Sequence, residues 1–237
     1  REGVDDRRRR AALKAEVKAA MRPDGVLLVP SFAVERTQEL LADLRLLIEA
    51  GELPPIPIFI DSPLASRASR VFLDHVREIE NGDLLARAMR AHDVHFTESI
   101  EQSKALDQRR GFHIVIAASG MCEAGRIRHR LKNWLWRDEA TVLLVGYQAA
   151  GTLGRVLLEG AATVRIQGEE VKVRARIRSL DLYSGHADGP ELAEWVRRRL
   201  PISGTLFLVH GEAEALAGLA ERVAGLLPAE RIVVPGL

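Results

Sequence analysis

The chain has 237 residues, 47% of them hydrophobic, and a net charge of +1. That is enough for one large domain or two small ones with a buried core, and it excludes a globally basic nucleic-acid binder. A single cysteine, Cys122, excludes an intrachain disulfide and a cysteine-rich zinc site, and fits a reducing compartment. No apolar run approaches the ~20 residues of a membrane span, and the charged stretch 1–10 does not read as a signal peptide. The chain opens without Met and in mid-pattern, so a piece of a longer protein is expected.

In chain order, apolar runs at 26–29, 56–60, 114–117, 142–145, 206–209 and 232–234 predict strands. Most are continuous rather than alternating, the pattern of strands buried on both faces of a parallel sheet. The four arginines at 7–10 are the densest block of charge, and a solvated helix start accounts for them. Segment 37–50 carries Leu40, Leu41, Leu44, Leu47 and Ile48 near helical spacing, and 65–80 and 192–200 are similar. Strands alternating with helices predict an α/β fold, a mostly parallel sheet flanked by helices. One stretch differs. Residues 163–180 alternate apolar and polar side chains around Gly168, which predicts an antiparallel hairpin joining two domains with a boundary near residue 180.

In a parallel sheet, ligands gather beyond the carboxyl ends of the strands. Here those ends read Pro30-Ser31-Phe32, Asp61-Ser62-Pro63, Ala118-Ser119-Gly120, Gly146-Tyr147-Gln148 and His210-Gly211-Glu212, all small or polar. A site that holds a polar substrate needs such turns; a purely structural protein does not. Ser62 with Pro63 reads first as a helix cap, with a phosphate contact as the alternative. Gly120 and Gly125 permit close backbone approach to a ligand. The helix after them puts Ile127, Leu131, Trp134 and Leu135 on one stripe. Arg126, Arg128, Arg130, Lys132 and Arg137 lie nearby, either as a solvated basic face or as a hold on a nucleic-acid backbone. Trp134 and Trp136 read as packing before base stacking. Gly146 to Gly154 superficially suggests a dinucleotide loop but lacks the downstream acid that would support it.

The richest segment is Tyr183-Ser184-Gly185-His186-Ala187-Asp188, with Leu208-Val209-His210-Gly211-Glu212 after it. Asp188 and Glu191 have the spacing of a capping box, which explains Asp188 without catalysis. It leaves His186 unexplained, and an imidazole there can donate to a phosphate oxygen. His210, between a buried strand and a glycine, reads either as a structural histidine or as a metal ligand. Among the remaining histidines, His92 and His95 precede a predicted loop without a third ligand nearby. His75 and His129 read as helix surface, and His113 as structural.

Together these segments resemble the β-CASP group of metallo-β-lactamase-fold nucleases. The resemblance runs from about residue 5 to the C-terminus. It rests on Leu28 through Leu40, Asp61-Ser62-Pro63-Leu64-Ala65, Ala118-Ser119-Gly120-Met121, Val145 through Gly154, and the two histidine motifs, in that order. It implies that 1–180 form the inserted β-CASP domain. Residues 181–237 would be the C-terminal segment of the αββα lactamase domain, whose N-terminal part lies outside the chain. It implies that His186 acts at the scissile phosphate and that His210 is a ligand of one of two Zn²⁺ in an intact site, leaving an incomplete site in this chain. The position of His210 is typically Val in the DNA-repair branch, so RNA is the implied substrate. Ser31, Ser62, Ser119, Gly120, Arg126 and Gln148 are the expected substrate-binding residues. The expected function of the parent protein is zinc-dependent RNA hydrolysis in processing or decay, in the cytoplasm, with no membrane, as a homodimer or within a processing complex. The alternative is a non-catalytic RNA-binding or scaffold subunit. The family's upstream histidine-rich ligand signature is not found in this sequence.

Overall fold

In the computed structural model of the chain, which describes residues 5–235, the continuous apolar runs become the middle of a parallel sheet. The chain divides into two compact units, with the break between Gly185 and His186, a few residues beyond the expected boundary.

The first unit runs α1 (Asp6–Ala20), β1 (Val26–Pro30), α2 (Arg36–Glu49), β2 (Ile58–Ile60), α3 (Pro63–Asp74), α4 (Gly82–Met89), β3 (Val94–Phe96), α5 (Ile100–Ala105), β4 (His113–Ala117), α6 (Arg126–Trp134), β5 (Ala140–Leu144), α7 (Leu153–Leu158), β6 (Thr163–Ile166), β7 (Glu169–Lys172) and β8 (Arg176–Ser179). Six strands form one sheet in the order β3-β2-β4-β1-β5-β8, every neighbouring pair parallel. Strand β1 shows why its run is continuous. Leu27 and Val29 pack toward α1 and α2 with Leu13, Val17, Leu40 and Leu44. Val26 and Leu28 pack on the other side with Ile127, Leu131 and Trp134 of α6. Both faces are dry, so neither can carry polar residues.

Two expectations are corrected. The stretch 163–180 is not one hairpin. Strands β6 and β7 do pair antiparallel around Gln167 and Gly168, whose φ of +53° and +84° suit a tight two-residue turn. Strand β8 then leaves them and runs parallel to β5, Thr141 beside Arg176. It is the last strand of the sheet, with Arg178 and Ser179 exposed, and its Arg-Ile-Arg-Ser sequence alternates as a hairpin strand would. Period alone does not tell the two apart. His92 to His95 do lead toward a loop, but through a strand not among those predicted: Val94–Phe96 is the opposite edge strand, Val94 beside Ile58 of β2, and His95 stacks on Phe59 at 5.0 Å. Val94 and Phe96 are its only apolar residues, with His95 exposed between them, too short an alternation to mark a strand.

His113 is structural, as read. Its Nδ1 lies 2.9 Å from the Gly111 carbonyl, the contact of a neutral ring that donates from Nδ1, while Nε2 is buried without a partner among the described residues. Burial therefore lowers its pKa from the ordinary 6.5. Below that value the unfolded chain takes up a proton that the folded chain refuses, so stability is full above about pH 6.5 and falls as pH drops toward the lowered folded value. Urea midpoints between pH 7.5 and 5 are expected to fall less in His113→Gln than in the parent; equal slopes would refute the assignment.

The second unit holds α8 (Gly189–Arg197), β9 (Leu206–Phe207), α9 (Ala213–Val223) and β10 (Ile232–Val233). Ala193, Val196, Val223 and Leu227 form its core, with Ile202, Leu206, Leu219 and Ile232 against them. Among the described residues strand β9 has one partner, β10, in parallel register. Its other face leaves Phe207 and Val209 largely exposed, as expected for a segment short of sheet neighbours. No helix of the described residues is long and apolar enough to cross a membrane.

Candidate functional site at the strand ends and the two histidine motifs

Because the sheet is parallel throughout, the carboxyl ends of β1, β2, β4, β5 and β8 share one edge. Backbone bonds continue the ladder into the loops: the Ser31 N–H donates to Ala117 O at 3.0 Å, that of Asp61 to Ile116 O at 2.8 Å, and that of Leu180 to Leu144 O at 2.8 Å. The first unit thus gathers Ser31, Ser62, Ser119, Gly120 and Gln148 at one edge.

Their polar groups are mostly occupied. Ser31 is fully buried, and its Oγ donates to Phe32 O and accepts from Thr37 Oγ1 at 3.2 Å. Ser62 caps α3, accepting the Ala65 N–H at 3.2 Å, so the capping reading accounts for it. Ser119 Oγ accepts the N–H of Glu123 and of Ala124, each at 3.2 Å, and closes the loop after β4. Gln148 Nε2 donates to the carbonyls of Gly120 at 3.1 Å and Gly146 at 2.9 Å, stapling the ends of β4 and β5; its Oε1 is buried without a partner among the described residues. Gly125, at φ +75°, does admit a close approach, but by the chain's own Ala118 carbonyl, which a Cβ there would overlap. The thiol of Cys122 is buried in the adjacent core and pushed up to about 12 by that burial, which makes it inert.

Arg126 is not a free cation. Its guanidinium donates to Asp61 Oδ1 and Thr97 O, each at 3.0 Å, and to Glu98 O at 3.0 Å. It braces the end of β2 against the loop after β3. Asp61 is fully buried and is the hub of this network. It accepts also from Arg130 Nε at 3.0 Å, Thr97 Oγ1 at 2.6 Å and Ser103 Oγ at 2.9 Å, and Arg130 reaches on to Asp107.

Sequence reasoning missed the residues that hold the histidine motif. The Tyr183 ring is fully buried, and its hydroxyl donates to Asp43 Oδ2 at 2.8 Å. Asp43 is held in turn by Arg9 Nε at 2.8 Å. Burial and the Asp43 carboxylate push the Tyr183 phenol far above its usual range, so it stays protonated and donating. Arg36 donates from Nε to the Tyr183 carbonyl, lies 4.7 Å from the Phe32 ring centre, and fills the space where a Gly146 side chain would stand. Gly185 is a glycine for a similar reason: a Cβ would come within 2.5 Å of Glu35 Oε2. Arg36 and Tyr183 are 147 positions apart, and Asp43 and Tyr183 are 140 apart. No local pattern reports such pairs.

Downstream, His186 is exposed and leads into α8. Asp188 caps that helix through the predicted box: its Oδ1 accepts the Glu191 N–H at 2.9 Å, and Glu191 Oε2 accepts the Asp188 N–H at 2.8 Å. His210 is exposed at φ +65°, between β9 and α9. The two histidines precede different helices. The start of α8 lies against Arg222 in the last turn of α9, whereas His210 stands before the first turn of α9. Zinc sites draw on three or four protein ligands. Among the described residues no group of three or more His, Cys, Asp or Glu is placed to hold a metal ion. The described residues therefore do not by themselves make the two-zinc site implied by the resemblance, although His210 is of the right type for one ligand.

Residues 37–157 match the family model described as Beta-Casp domain, and 170–235 match the one described as Zn-dependent metallo-hydrolase RNA specificity domain. The chain is 38% identical over 205 residues to a ribonuclease of Thermus thermophilus, covering 84% of this chain and 46% of that protein. It is 29% identical over 223 residues to a transcription termination factor of Methanosarcina mazei, covering 89% and 35%. It is 27% identical over 198 residues to an RNase J-like protein of Methanocaldococcus jannaschii, covering 83% and 45%. The chain thus spans less than half the length of each of these curated relatives. The Beta-Casp match takes in about half of the chain and lies within the parallel unit whose strand ends carry Ser62, Ser119, Gly120 and Gln148, and the chain belongs to the Beta-Casp family.

Proposed function

We propose that the protein containing this chain is a zinc-dependent ribonuclease that hydrolyses RNA phosphodiester bonds in processing or decay. The observation that carries the reading is the order of the two matches. A Beta-Casp domain is followed by a stretch described as an RNA specificity domain of zinc-dependent metallo-hydrolases, and His186 and His210 both fall within that stretch. Of the relatives, one is named a ribonuclease and another RNase J-like. In this reading His186 acts at the scissile phosphate, as a hydrogen-bond or proton donor to a phosphate oxygen. His210 supplies one metal ligand, and the others would come from outside the described residues. The strand-end loops around Ser119, Gly120 and Gln148 shape the edge that receives the RNA backbone.

The test is zinc content and RNA cleavage of that protein and of its His210→Ala variant. Stoichiometric zinc in the parent, with less zinc and lost cleavage in the variant, is the expected result. Absent zinc and absent cleavage, with RNA still bound, would replace the enzyme by an RNA-binding subunit.

A further inference from the structure

A second feature of the first unit suits RNA and lies apart from the strand-end edge. Between the end of α6 and the hairpin strand β7 is an open groove of about 550 Å³, lined among others by Lys132, Trp136, Glu170, Lys172 and Arg174. Trp134 and Trp136 are two residues apart and have opposite fates. Trp134 is buried, and its indole N–H donates to Asp107 Oδ1 at 3.1 Å. Trp136 is 50% exposed and faces the groove. The Arg137 guanidinium lies 4.1 Å from the Trp134 ring centre and 4.9 Å from that of Trp136, which orients the exposed indole. Lys132 is spent on Glu169 at 2.5 Å. Lys172 and Arg174 form no ion pair among the described residues, and Glu170 is the one acid of the groove left to oppose them.

We propose that this groove is an accessory binding surface for single-stranded RNA, with one base stacked on Trp136 and the flanking phosphates on Lys172 and Arg174. The inference rests on the ribonuclease reading above and names a second place where that substrate is held. An aromatic face beside unpaired cations is the combination that binds single strands without sequence preference: every base has a π-face, and every linkage has a charge. A duplex hides its base faces and gains nothing from the indole. An acidic peptide would use the cations and leave Trp136 idle.

Binding is measured by fluorescence anisotropy of a labelled single-stranded RNA on the protein that carries this chain. The His186→Ala background keeps the RNA intact during the titration. Trp136→Ala is expected to weaken binding about fivefold or more, the effect of removing one base stack. Lys172→Glu with Arg174→Glu is expected to weaken it similarly and to lower the slope of log affinity against log salt by about 0.7 for each phosphate no longer neutralised. Glu170→Lys is expected to strengthen it. Circular dichroism of each variant should match the parent, because all four side chains line an open groove. Unchanged affinity and salt slope in both the Trp136 and the double-cation variants, with RNA still bound, overturns the groove and leaves the ribonuclease reading standing. Loss of a protein partner from those variants at constant RNA affinity would make the groove a protein-docking surface and overturns it too. Absence of any RNA binding in the His186→Ala protein overturns the groove, and cleavage by the parent protein then decides the ribonuclease reading.

Discussion

Replacing His186 by alanine in the protein that carries this chain is expected to lower RNA cleavage about 10²–10⁴-fold, the range that one positioned acid–base or phosphate-donating group supplies. The fold should hardly notice. The imidazole is exposed, and exposed substitutions away from caps and core cost about 0.5 kcal/mol at most. What holds the segment lies on either side of it. Upstream, Tyr183 is pinned by Asp43 through its ring hydroxyl and by Arg36 through its carbonyl. Downstream, Asp188 and Glu191 close the capping box of α8. His186 follows the first of these anchors in the chain and precedes the second. Multiple-turnover cleavage assays, beside a thermal melt of the same preparation, separate the two effects. Cleavage within threefold of the parent would remove His186 from the mechanism. Equal losses of activity and melting temperature would make it structural.

Asp61→Ala is expected to destabilise the chain by about 3–5 kcal/mol, the range for breaking a buried ion pair from one side. Asp61 is fully buried and holds two arginines, Arg126 and Arg130, with Thr97 and Ser103 completing its shell. Removing it leaves Arg130, only 2% exposed, with Asp107 as its remaining carboxylate, and leaves a cavity at the end of β2. Asp61→Asn keeps the volume and should recover little, because the loss is charge rather than space. Urea unfolding at pH 7.5 reports both. A loss below about 1 kcal/mol in Asp61→Ala would mean that water or Asp107 compensates the arginines, and the network would then count as surface bracing.

Local chemistry settled much of this protein in advance. The continuous runs that became β1, β4 and β5, the stripe of α6, the Asp188 box and the alternation of strand and helix are all short-range patterns: burial on two faces, a 3.6-residue period and a cap three residues from its partner. These were enough for the α/β class and for the edge on which loops would gather. The resemblance that pointed to the Beta-Casp family likewise rests on short segments read in order. Three things were decided only by the tertiary structure. Strand β8 joined the sheet because β5 offered an unpaired edge, although its alternating pattern reads as hairpin. Arg126, which reads as free charge for RNA, turned inward because a fully buried Asp61 lies 3.0 Å from it, and a buried carboxylate demands a partner more strongly than solvent demands an exposed arginine. Arg36, Asp43 and Tyr183 came together because the chain returns to α2 after some 140 residues. A pairing whose partners are separated by most of a domain leaves no trace in the spacing of its neighbours.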